Sequence, residues 1–372
     1  MSNCKIIRSV TSSKSLIFCR GIMQKMRGEG YEMVAVSSPG KELESLREEG
    51  FHCVELAMER HISPFKDLRS LVSMIRVLHK ERPQMIHSMT PKAGLVSMLA
   101  GWLTGVPIRV HTFTGLVWPT STGFKRKLLM FTDRLTCACA THIIPEGKGV
   151  MNDLINGHIT SKPMRVLGYG NVRGVDMARF NPHRFIKDDH SIFRFLFIGR
   201  IVGDKGINEL VDAFIRLNQE FPDTELSLVG TFESELDSLS PGTMTSIKEN
   251  KSIFVREWIV GEELVKEYAA ADCYVHPSYR EGFPNTVLEA GAMGLPCIVT
   301  DINGSNEIIE DGKNGIIIPA KDADALYEAM KRIFVDKERR LRLATFARNI
   351  VAERFDKEFV QKCQMDFYKE LL

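Results

Sequence analysis

Two glutamates flank the start of a predicted helix in the segment YREGFPNTVLEAGAMGLPCIVTD, residues 279–301. Pro284 favours the first turn of that helix, because a residue without an N–H group loses no hydrogen bond there. The amides of a first turn have no acceptor within the helix, and together with the helix dipole they attract an anion such as phosphate. Glu289 lies on the same helix face as Asn285, within reach of a ribose diol beside that phosphate, and Glu281 lies on the preceding loop. The alternative interpretation is a solvated loop glutamate followed by a surface helix glutamate.

The segment FIGRIVGDKGINELVDAF, residues 197–214, has a second pattern suited to phosphate. An apolar strand ends before Arg200, a glycine-rich loop with Lys205 follows, and a helix then begins. Two cations and small residues beside a helix entrance favour the binding of a diphosphate. The alternative is an ordinary turn between strand and helix with solvated charges.

Short apolar runs alternate with amphipathic helical patterns along the chain. The predicted strands read KIIRSV, YEMVAVSS, HCVELA, MIHSM, IRVHTF and HIIP, then FRFLFIG, TELSLVG, SIFV, CYVHPS, CIVTD and GIIIP. Strands separated by helices predict parallel sheets with right-handed crossovers. A polar, charged stretch with a proline at residues 170–191 is typical of a linker. We therefore predict two doubly wound α/β domains, residues 1–180 and 181–355, with a ligand cleft between them at the carboxyl ends of the strands.

The composition is typical of a globular enzyme, with 372 residues, 44% hydrophobic residues and 26% charged residues. The net charge of +2 gives no reason to expect nucleic-acid binding. The eight cysteines form no C-x-x-C pair, which favours a reducing cytoplasm and disfavours zinc. No signal peptide is expected, because Lys5, Arg8 and Lys14 interrupt the first apolar runs. The stretch AGLVSMLAGWLTGVPI is shorter than the ~20 residues of a membrane-spanning helix and predicts a buried helix.

Three segments together resemble the retaining glycosyltransferases of family 4, which have the GT-B architecture of two Rossmann-like domains. GRIVGDKGINELVDAF resembles the Gly-Arg…Lys-Gly segment of that family, and AAADCYVHPSYREGFPNTVLEAGAMGLPCIVTD resembles its Glu-x7-Glu signature. NGSNEIIEDGKNGIIIP resembles the loop that follows, so the match covers most of residues 193–320. The resemblance implies two domains facing a cleft, an acceptor-side domain followed by a nucleotide-sugar domain. It also implies a final helix at about residues 356–372 that packs back on the first domain.

The resemblance assigns donor-site roles to individual positions of the chain. Arg200 and Lys205 would bind the donor diphosphate and neutralise the leaving group as catalytic residues. Glu281 would contact the transferred sugar, and Glu289 would bind the ribose. In the stretch from Phe283 to Thr286, the amides would hold sugar hydroxyls and phosphate. The other donor-site positions are Gly282 and Pro284 in the same loop, and Trp258 and Ile259, whose backbone would lie near the base. Glu257 stands where the family usually has a glycine, which makes the base pocket the least typical part of the match.

No metal and no cofactor are expected, because the two cations and a helix terminus would supply the positive charge that the leaving group needs. Asp322 and Asp324 form an Asp-x-Asp pair, a pattern that also occurs in metal sites. The pair follows Pro319 and opens the predicted helix DADALYEAMKRIF, which favours helix capping instead.

The first half of the chain is expected to bind the acceptor. Ser12 and Lys14 lie in the loop TSSKS, where the family often has a glycine-rich loop, and would cover the donor phosphates. A polar turn with a helix cap is the alternative. In VHTFTGLVW, Thr114 takes the place of a family histidine and His111 ends a strand, so one of them is predicted to face the cleft, with a catalytic role for His111. A hydrogen-bonded core histidine is the alternative for His111.

Several segments of the first half resemble a subgroup that extends lipid-linked saccharides in capsule, O-antigen and other bacterial glycan pathways. These are SSPGKELESLREEG, MERHISPFKDLRSL, HSMTPKAGLVSMLAGW and RVHTFTGLVW. The resemblance implies a polyprenyl-diphosphate acceptor at the cytoplasmic face of the membrane, with Lys92 near its diphosphate. The basic and apolar segment FKRKLLMF at residues 124–131 favours peripheral contact with an anionic membrane surface, at about 1 kcal/mol per cation. A helix with a solvated basic face is the alternative.

The function predicted from the sequence is retaining transfer of a hexose or N-acetylhexosamine from a nucleoside-diphosphate sugar, with UDP favoured by resemblance. A phosphorylase or a sugar-nucleotide epimerase on the same scaffold is an alternative enzyme. A non-catalytic nucleotide-sugar-binding subunit is an alternative of another class. A dinucleotide oxidoreductase is disfavoured, because no G-x-G-x-x-G motif follows the first strand of either half.

Overall fold

The computed structural model describes residues 4–59, 61, 63–185, 192–233, 235 and 237–372. The chain forms two compact units. The first comprises the residues up to Arg173 together with Glu358–Leu372, and the second comprises Gly174–Lys357. Residues 186–191 of the predicted linker lie outside the described residues.

The first unit alternates strands and helices from its first described strand onward. In chain order these are β1 (Lys5–Ser9), α1 (Arg20–Gly28), β2 (Glu32–Ser37), α2 (Lys41–Glu48), β3 (His52–Glu55), α3 (Pro64–Glu81), β4 (Met85–Met89), α4 (Pro91–Leu103), β5 (Ile108–Phe113), α5 (Gly123–Cys139), β6 (His142–Pro145) and α6 (Lys148–Asn156). Among the described residues the strands form one parallel sheet in the order β3-β2-β1-β4-β5-β6. Every residue of β4 is buried, as expected for a parallel strand covered by helices on both faces.

The apolar stretch of the first half forms the buried helix α4, as predicted. Small residues such as Ala93, Gly94 and Ala100 let it lie close to the sheet, because a side chain at Gly94 would collide with a ring on β5. Its carboxyl end is more open, since Trp102 is 57% exposed and Leu103 is 53% exposed. None of the helices in the described part of the chain combines the length and the apolarity that a membrane span requires.

The second unit repeats the alternation. Its elements are β7 (Phe193–Ile198), α7 (Ile207–Glu220), β8 (Thr224–Val229), α8 (Pro241–Glu249), β9 (Ile253–Arg256), α9 (Gly261–Ala270), β10 (Cys273–His276), α10 (Asn285–Ala292), β11 (Cys297–Thr300), α11 (Ser305–Ile308), β12 (Gly315–Ile318), α12 (Ala323–Val335) and α13 (Lys337–Arg354). Its described strands form a parallel sheet in the order β12-β11-β10-β7-β8-β9. The strands of both sheets lie at the predicted positions, and the predicted doubly wound α/β class is confirmed.

The final helix, α14 (Lys357–Leu371), follows the second unit in sequence, but its residues from Glu358 onward belong to the first unit. Phe367 and Tyr368 are buried there in the core formed by β1, β2 and α1. The apolar residues of α14 are therefore anchored far from their neighbours in sequence.

Each sheet reverses its winding direction at one point. The reversal lies between β1 and β4 in the first sheet and between β7 and β10 in the second. The connections from these two strands leave toward opposite faces, and the gap between them at the carboxyl ends is the usual ligand site of such sheets. The loops that follow β7 and β10 are the segments that carry the predicted diphosphate and sugar residues.

Candidate active site

The loops after β7 and β10 are bound to each other through Asp204. The backbone N–H of Tyr279 donates to the carbonyl oxygen of Asp204 at 2.9 Å, and the Ser278 hydroxyl donates to the same oxygen at 3.3 Å. The Arg280 guanidinium donates to the Asp204 carboxylate at 3.0 Å. These contacts bring two segments more than seventy residues apart into one rigid pair of loops.

Gly206 joins the first of these loops to α7 and allows the close approach. Its φ of +70° lies in the left-handed region, and a Cβ atom at this position would lie 2.1 Å from the carbonyl oxygen of Pro277. Any side chain would push the two loops apart. Glycine is therefore required here both for backbone conformation and for space.

Lys205, Glu281 and His276 form the centre of the site. The Lys205 ammonium contacts Oε1 of Glu281, and Nε2 of His276 lies 2.9 Å from the same oxygen. The three side chains are largely withdrawn from water, with exposed fractions of 13%, 16% and 4% for Lys205, Glu281 and His276. A mostly buried carboxylate with two donors is the opposite of the solvated loop glutamate considered as the alternative.

The charges around Glu281 keep it ionised. Burial by itself would raise the pKa of this carboxyl, but the Lys205 ammonium and the hydrogen bond from His276 outweigh burial and hold the pKa well below its usual value. Glu281 can therefore accept hydrogen bonds from a ligand at neutral pH, but it has no proton to donate.

Arg200 follows β7 and is held more loosely than Lys205. One guanidinium nitrogen lies 3.4 Å from Glu233 and the other 3.9 Å from Asp204, and 38% of the side chain is exposed. Such long, solvated ion pairs contribute little energy, so an incoming anion can replace them. The structure thus places both predicted cations in the same loop.

Helix α10 starts at Asn285, with Pro284 as the preceding cap residue. The carbonyl oxygen of Pro284 accepts hydrogen bonds from the amides of Val287 at 3.2 Å and Leu288 at 3.4 Å. The expectation that the amides of this first turn lack an acceptor is therefore wrong for Val287, because the first turn tightens onto Pro284. The stretch from Phe283 to Thr286, whose amides are expected to hold sugar hydroxyls and phosphate, ends one residue before Val287.

The loop before α10 is packed from both sides. The Phe283 ring is 5% exposed and lies 5.4 Å from the Phe355 ring, measured between centroids. On the other side, a Cβ atom at Gly304 would lie 2.3 Å from the carbonyl oxygen of Gly282. Close packing of this kind fixes the backbone in place, as a site built from main-chain groups requires.

Glu289 is a buried residue of α10, which contradicts the alternative of a surface glutamate. Only 5% of the residue is exposed, and the Tyr268 hydroxyl donates to its Oε2 at 3.0 Å. Tyr268 is itself fully buried on α9. A buried carboxylate with a hydrogen bond that fixes its rotamer is suited to binding a ligand hydroxyl pair.

The residues expected near the base lie after the edge strand β9. Trp258 is 53% exposed, whereas Ile259 packs partly against the core of the second unit. Glu257, the position that departs from the family pattern, is also exposed.

In the first unit, the loop after β1 forms a short 3-10 helix at Ser13–Phe18, preceded by Ser12 as its cap residue. Ser12 is half-buried and its side chain makes no capping hydrogen bond, while Lys14 is exposed. The loop is tied to the next crossover at its start, because the Thr11 hydroxyl lies 2.7 Å from that of Thr90.

Lys92 lies in the first turn of α4 and is 10% exposed. Its ammonium pairs with Asp67 of α3 at 2.5 Å. Thr114 follows β5 and is partly exposed in the loop before Trp118.

His111 is not placed as a catalytic residue would be. It is 1% exposed, its Nδ1 lies 2.9 Å from the Ser88 hydroxyl, and its ring covers Gly94 of α4. Burial lowers the pKa of His111 to about 3, so the ring is neutral at physiological pH. The predicted catalytic role is corrected to that of a hydrogen-bonded core histidine, because the tight packing between α4 and β5 encloses the ring.

The Asp-x-Asp pair caps a helix, as predicted. The Asp322 carboxylate accepts a hydrogen bond from the Ala325 amide at 2.8 Å at the start of α12. In the described part of the chain, no group of three or more histidine, cysteine, aspartate or glutamate side chains could hold a metal ion.

Three contributors to the site were not predicted from the sequence: His276, Asp204 and Tyr268. His276 stands five residues before Glu281 at the end of a predicted strand, and this position was the available signal. Asp204 and Tyr268 act through contacts between segments distant in sequence, for which the sequence gives no local pattern.

The comparisons with known proteins agree with this geometry. Residues 183–350 match the family model described as "Glycosyl transferases group 1", and residues 17–170 match the "Glycosyl transferase 4-like domain". The capsular polysaccharide biosynthesis glycosyltransferase CapM of Staphylococcus aureus is 30% identical over 382 residues, covering 100% of this chain and 98% of the relative. The chain belongs to the group 1 glycosyltransferases.

Two further proteins resemble this glycosyltransferase. The UDP-Gal:alpha-D-GlcNAc-diphosphoundecaprenol alpha-1,3-galactosyltransferase of Escherichia coli is 29% identical over 292 residues, covering 75% of this chain and 73% of the relative. The solved structure of Anabaena Alr3699/HepE in complex with UDP superposes with a TM-score of 0.79 at 17% identity, covering 98% of this chain and all of that one. At that identity the superposition bears on the fold alone, and it agrees with the GT-B class.

Proposed function

We propose that this glycosyltransferase moves a hexose or an N-acetylhexosamine from a UDP-sugar to a saccharide carried on polyprenyl diphosphate, with retention of configuration at the sugar. The observation that carries the proposal is the Lys205–Glu281 ion pair at the winding reversal of the second sheet, with Arg200 in the same loop. This arrangement combines fixed positive charge for a leaving diphosphate with an ionised acceptor for sugar hydroxyls.

The donor diphosphate would lie against Lys205 and Arg200. A lysine ammonium has three N–H donors, so Lys205 can keep its contact with Glu281 and still bind phosphate oxygens. As the bond between the sugar anomeric carbon and the phosphate oxygen breaks, charge grows on that oxygen, and preorganised cations stabilise it. The acceptor hydroxyl attacks from the same face, and its proton passes to the departing phosphate oxygen. No step needs a proton from Glu281.

The other donor-site residues would bind the parts of the donor that do not react. Glu289, held by Tyr268, would accept hydrogen bonds from the ribose hydroxyls, and the backbone of Trp258 and Ile259 would lie along the base. Main-chain groups from Gly282 to Thr286 would hold the sugar and phosphate. Ser12 and Lys14 of the first unit would add contacts to the phosphates.

The acceptor proposal rests on the relatives and on the surface of the first unit. One relative is named for capsular polysaccharide biosynthesis and another for an acceptor on diphosphoundecaprenol. The two most exposed aromatic side chains of the unit, Phe65 at 90% and Phe124 at 80%, lie in the first turns of α3 and α5, which both pack on α4. Exposed Lys125, Arg126 and Lys127 follow Phe124. Aromatic residues beside cations suit an anionic bilayer surface at the cytoplasmic face.

The membrane part of the proposal is tested with vesicles. The Phe65→Ser/Phe124→Ser protein should lose co-sedimentation with phosphatidylglycerol vesicles, while Phe346→Ser, which changes a 39% exposed ring of the second unit, should bind like the wild type. Equal binding by all three proteins would contradict a membrane surface on α3 and α5.

Lys92, at the start of α4 between these helices, would contact the acceptor diphosphate.

The reaction is tested with UDP-galactose, UDP-glucose, UDP-N-acetylglucosamine and UDP-N-acetylgalactosamine, with N-acetylglucosaminyl-diphosphoundecaprenol as acceptor. We expect UDP release and a lengthened lipid-linked saccharide with one of these donors. Sugar-phosphate formation on adding inorganic phosphate would indicate a phosphorylase, and conversion of a donor without acceptor would indicate an epimerase. Binding of UDP without turnover of any donor would indicate a non-catalytic subunit.

A further inference from the structure

His276 has no role in the reaction as proposed above, although it lies at its centre. It ends β10 and is enclosed by buried aromatic rings. The Phe197 and Tyr274 ring planes are tilted by only 12° and 17° from the imidazole plane, with centroids 6.2 and 6.0 Å away. The imidazole is itself only 3% exposed, and this burial restricts the rotation of its ring.

Two donors converge on one oxygen of Glu281 and leave the other open. His276 Nε2 lies 2.9 Å from Oε1, and the Lys205 ammonium contacts the same Oε1. Oε2 keeps some contact with solvent and accepts no hydrogen bond from the described residues. The carboxylate is thus held by one end, with the other end presented outward.

The ionised state of Glu281 determines which imidazole nitrogen carries the proton. A carboxylate only accepts hydrogen bonds, so Nε2 of His276 must be the N–H donor. On the other side of the ring, Nδ1 lies 3.4 Å from the Tyr274 hydroxyl, and that hydroxyl donates to the carbonyl oxygen of Ile198 at 3.2 Å. Since the single proton of that hydroxyl is directed at Ile198, Tyr274 does not determine the protonation of Nδ1, and it is the bond to Glu281 that fixes Nε2 as the N–H donor.

Lys205 and His276 differ in how strictly they determine the orientation of the Glu281 carboxylate. A lysine ammonium is a point charge on a flexible stem and attracts a carboxylate in many orientations. An imidazole N–H donates along its ring plane, and here burial restricts the orientation of the ring. Lys205 can therefore hold the charge of Glu281, but His276 alone of this pair sets the direction of the carboxylate.

We propose that His276 is a positioning residue that, through its Nε2–H bond to Oε1, turns Oε2 of Glu281 toward the sugar of the bound donor. This inference rests on the proposed function, because it assigns a ligand to Oε2. His276 would act through Glu281 and would not touch the donor diphosphate.

The test compares His276→Leu, which removes the donor, with His276→Gln, whose side-chain amide reaches about as far as Nε2. With the four UDP-sugars named above, kcat of the leucine variant should fall about 100-fold, the effect of misplacing a reacting group by about 1 Å. KM for the sugar nucleotide and Kd for UDP should change little, and the glutamine variant should recover most of kcat. His183→Gln changes an exposed histidine of the same unit and serves as the control.

Unchanged kcat in the leucine variant, or equal losses in both variants, would overturn the inference. A second measurement does not depend on catalysis. In NMR spectra of protein labelled with 15N-histidine, the His276 signal is the one that is absent from the spectrum of His276→Gln. This signal should report a protonated Nε2, and an unprotonated Nε2 would also overturn the inference. A wild-type protein inert toward every donor would instead refute the proposed function, and the sugar-directed role of His276 with it.

Discussion

Replacing Lys205 by alanine separates catalysis from stability most clearly. The variant removes the ammonium that contacts Glu281 and that would face the leaving diphosphate. Loss of one preorganised group of this kind typically raises the activation barrier by about 2.7–4 kcal/mol, which corresponds to about 100- to 1,000-fold in kcat. We expect a loss of turnover in this range for Lys205→Ala.

The cost in stability should be smaller. Removing one partner of a fully buried ion pair costs about 3–5 kcal/mol, but Glu281 keeps its hydrogen bond from His276 and both partners retain some contact with water. We therefore expect the free energy of unfolding to fall by about 1–3 kcal/mol. A domain with an ordinary stability of at least about 5 kcal/mol would remain more than about 95% folded, so unfolding cannot account for the lost turnover.

The assay measures initial rates of sugar transfer and urea unfolding for the same preparations. Lys266→Ala is the matched control, because Lys266 pairs with Glu263 on the surface of the same unit with 57% and 68% of the side chains exposed. This control should change stability by less than about 1 kcal/mol and leave the rate unaltered. Turnover of Lys205→Ala close to the wild-type rate would refute the assignment of Lys205 to the diphosphate. A rate loss fully explained by the unfolded fraction would refute it as well.

Gly206→Ala should lower the free energy of unfolding by about 3 kcal/mol or more. The control Gly261→Ala, with a similar φ of +69° and open space around it, should lower it by only about 1 kcal/mol. Equal losses of stability in urea titrations would argue against the loop contact at Pro277. His111→Asn should flatten the fall of stability in acid. His111 takes up a proton near pH 6.5 in the unfolded chain but only near pH 3 in the folded protein. The free energy of unfolding therefore falls by about 1.4 kcal/mol for each pH unit between these values. An unaltered stability profile between pH 6.5 and 3 would show that His111 is not buried and neutral. Transfer activity should persist in excess EDTA, because in the proposed mechanism Lys205 and Arg200 would supply the charge that a metal would otherwise provide. Loss of activity in EDTA that added magnesium restores would contradict this.

The sequence by itself determined the strands, the alternation and the loops that carry the chemistry. Runs such as FRFLFI and CIVT are mostly apolar because parallel strands are covered by helices on both faces, so a local pattern predicts them. The Asp322 cap was equally readable, since a cap depends on the residues within one turn. The Lys205 and Glu281 loops were recognisable from glycine, proline and charge at helix entrances.

Only the tertiary structure decided the strand order and the partners of each site residue, and the return of α14 to the first unit was implied by the family resemblance and by no local pattern. Phe367 and Tyr368 are buried against strands more than three hundred residues earlier in the chain, and no local pattern specifies such a pairing. His111 looked equally suited to a site or to a core until α4 was seen to cover it at Gly94. The role proposed for His276 follows from its hydrogen bond to the Glu281 carboxylate and from the burial of its ring, and neither is visible in the sequence. These outcomes depend on packing between distant segments, where burial and hydrogen-bond geometry act together, and that information exists only once the chain has folded.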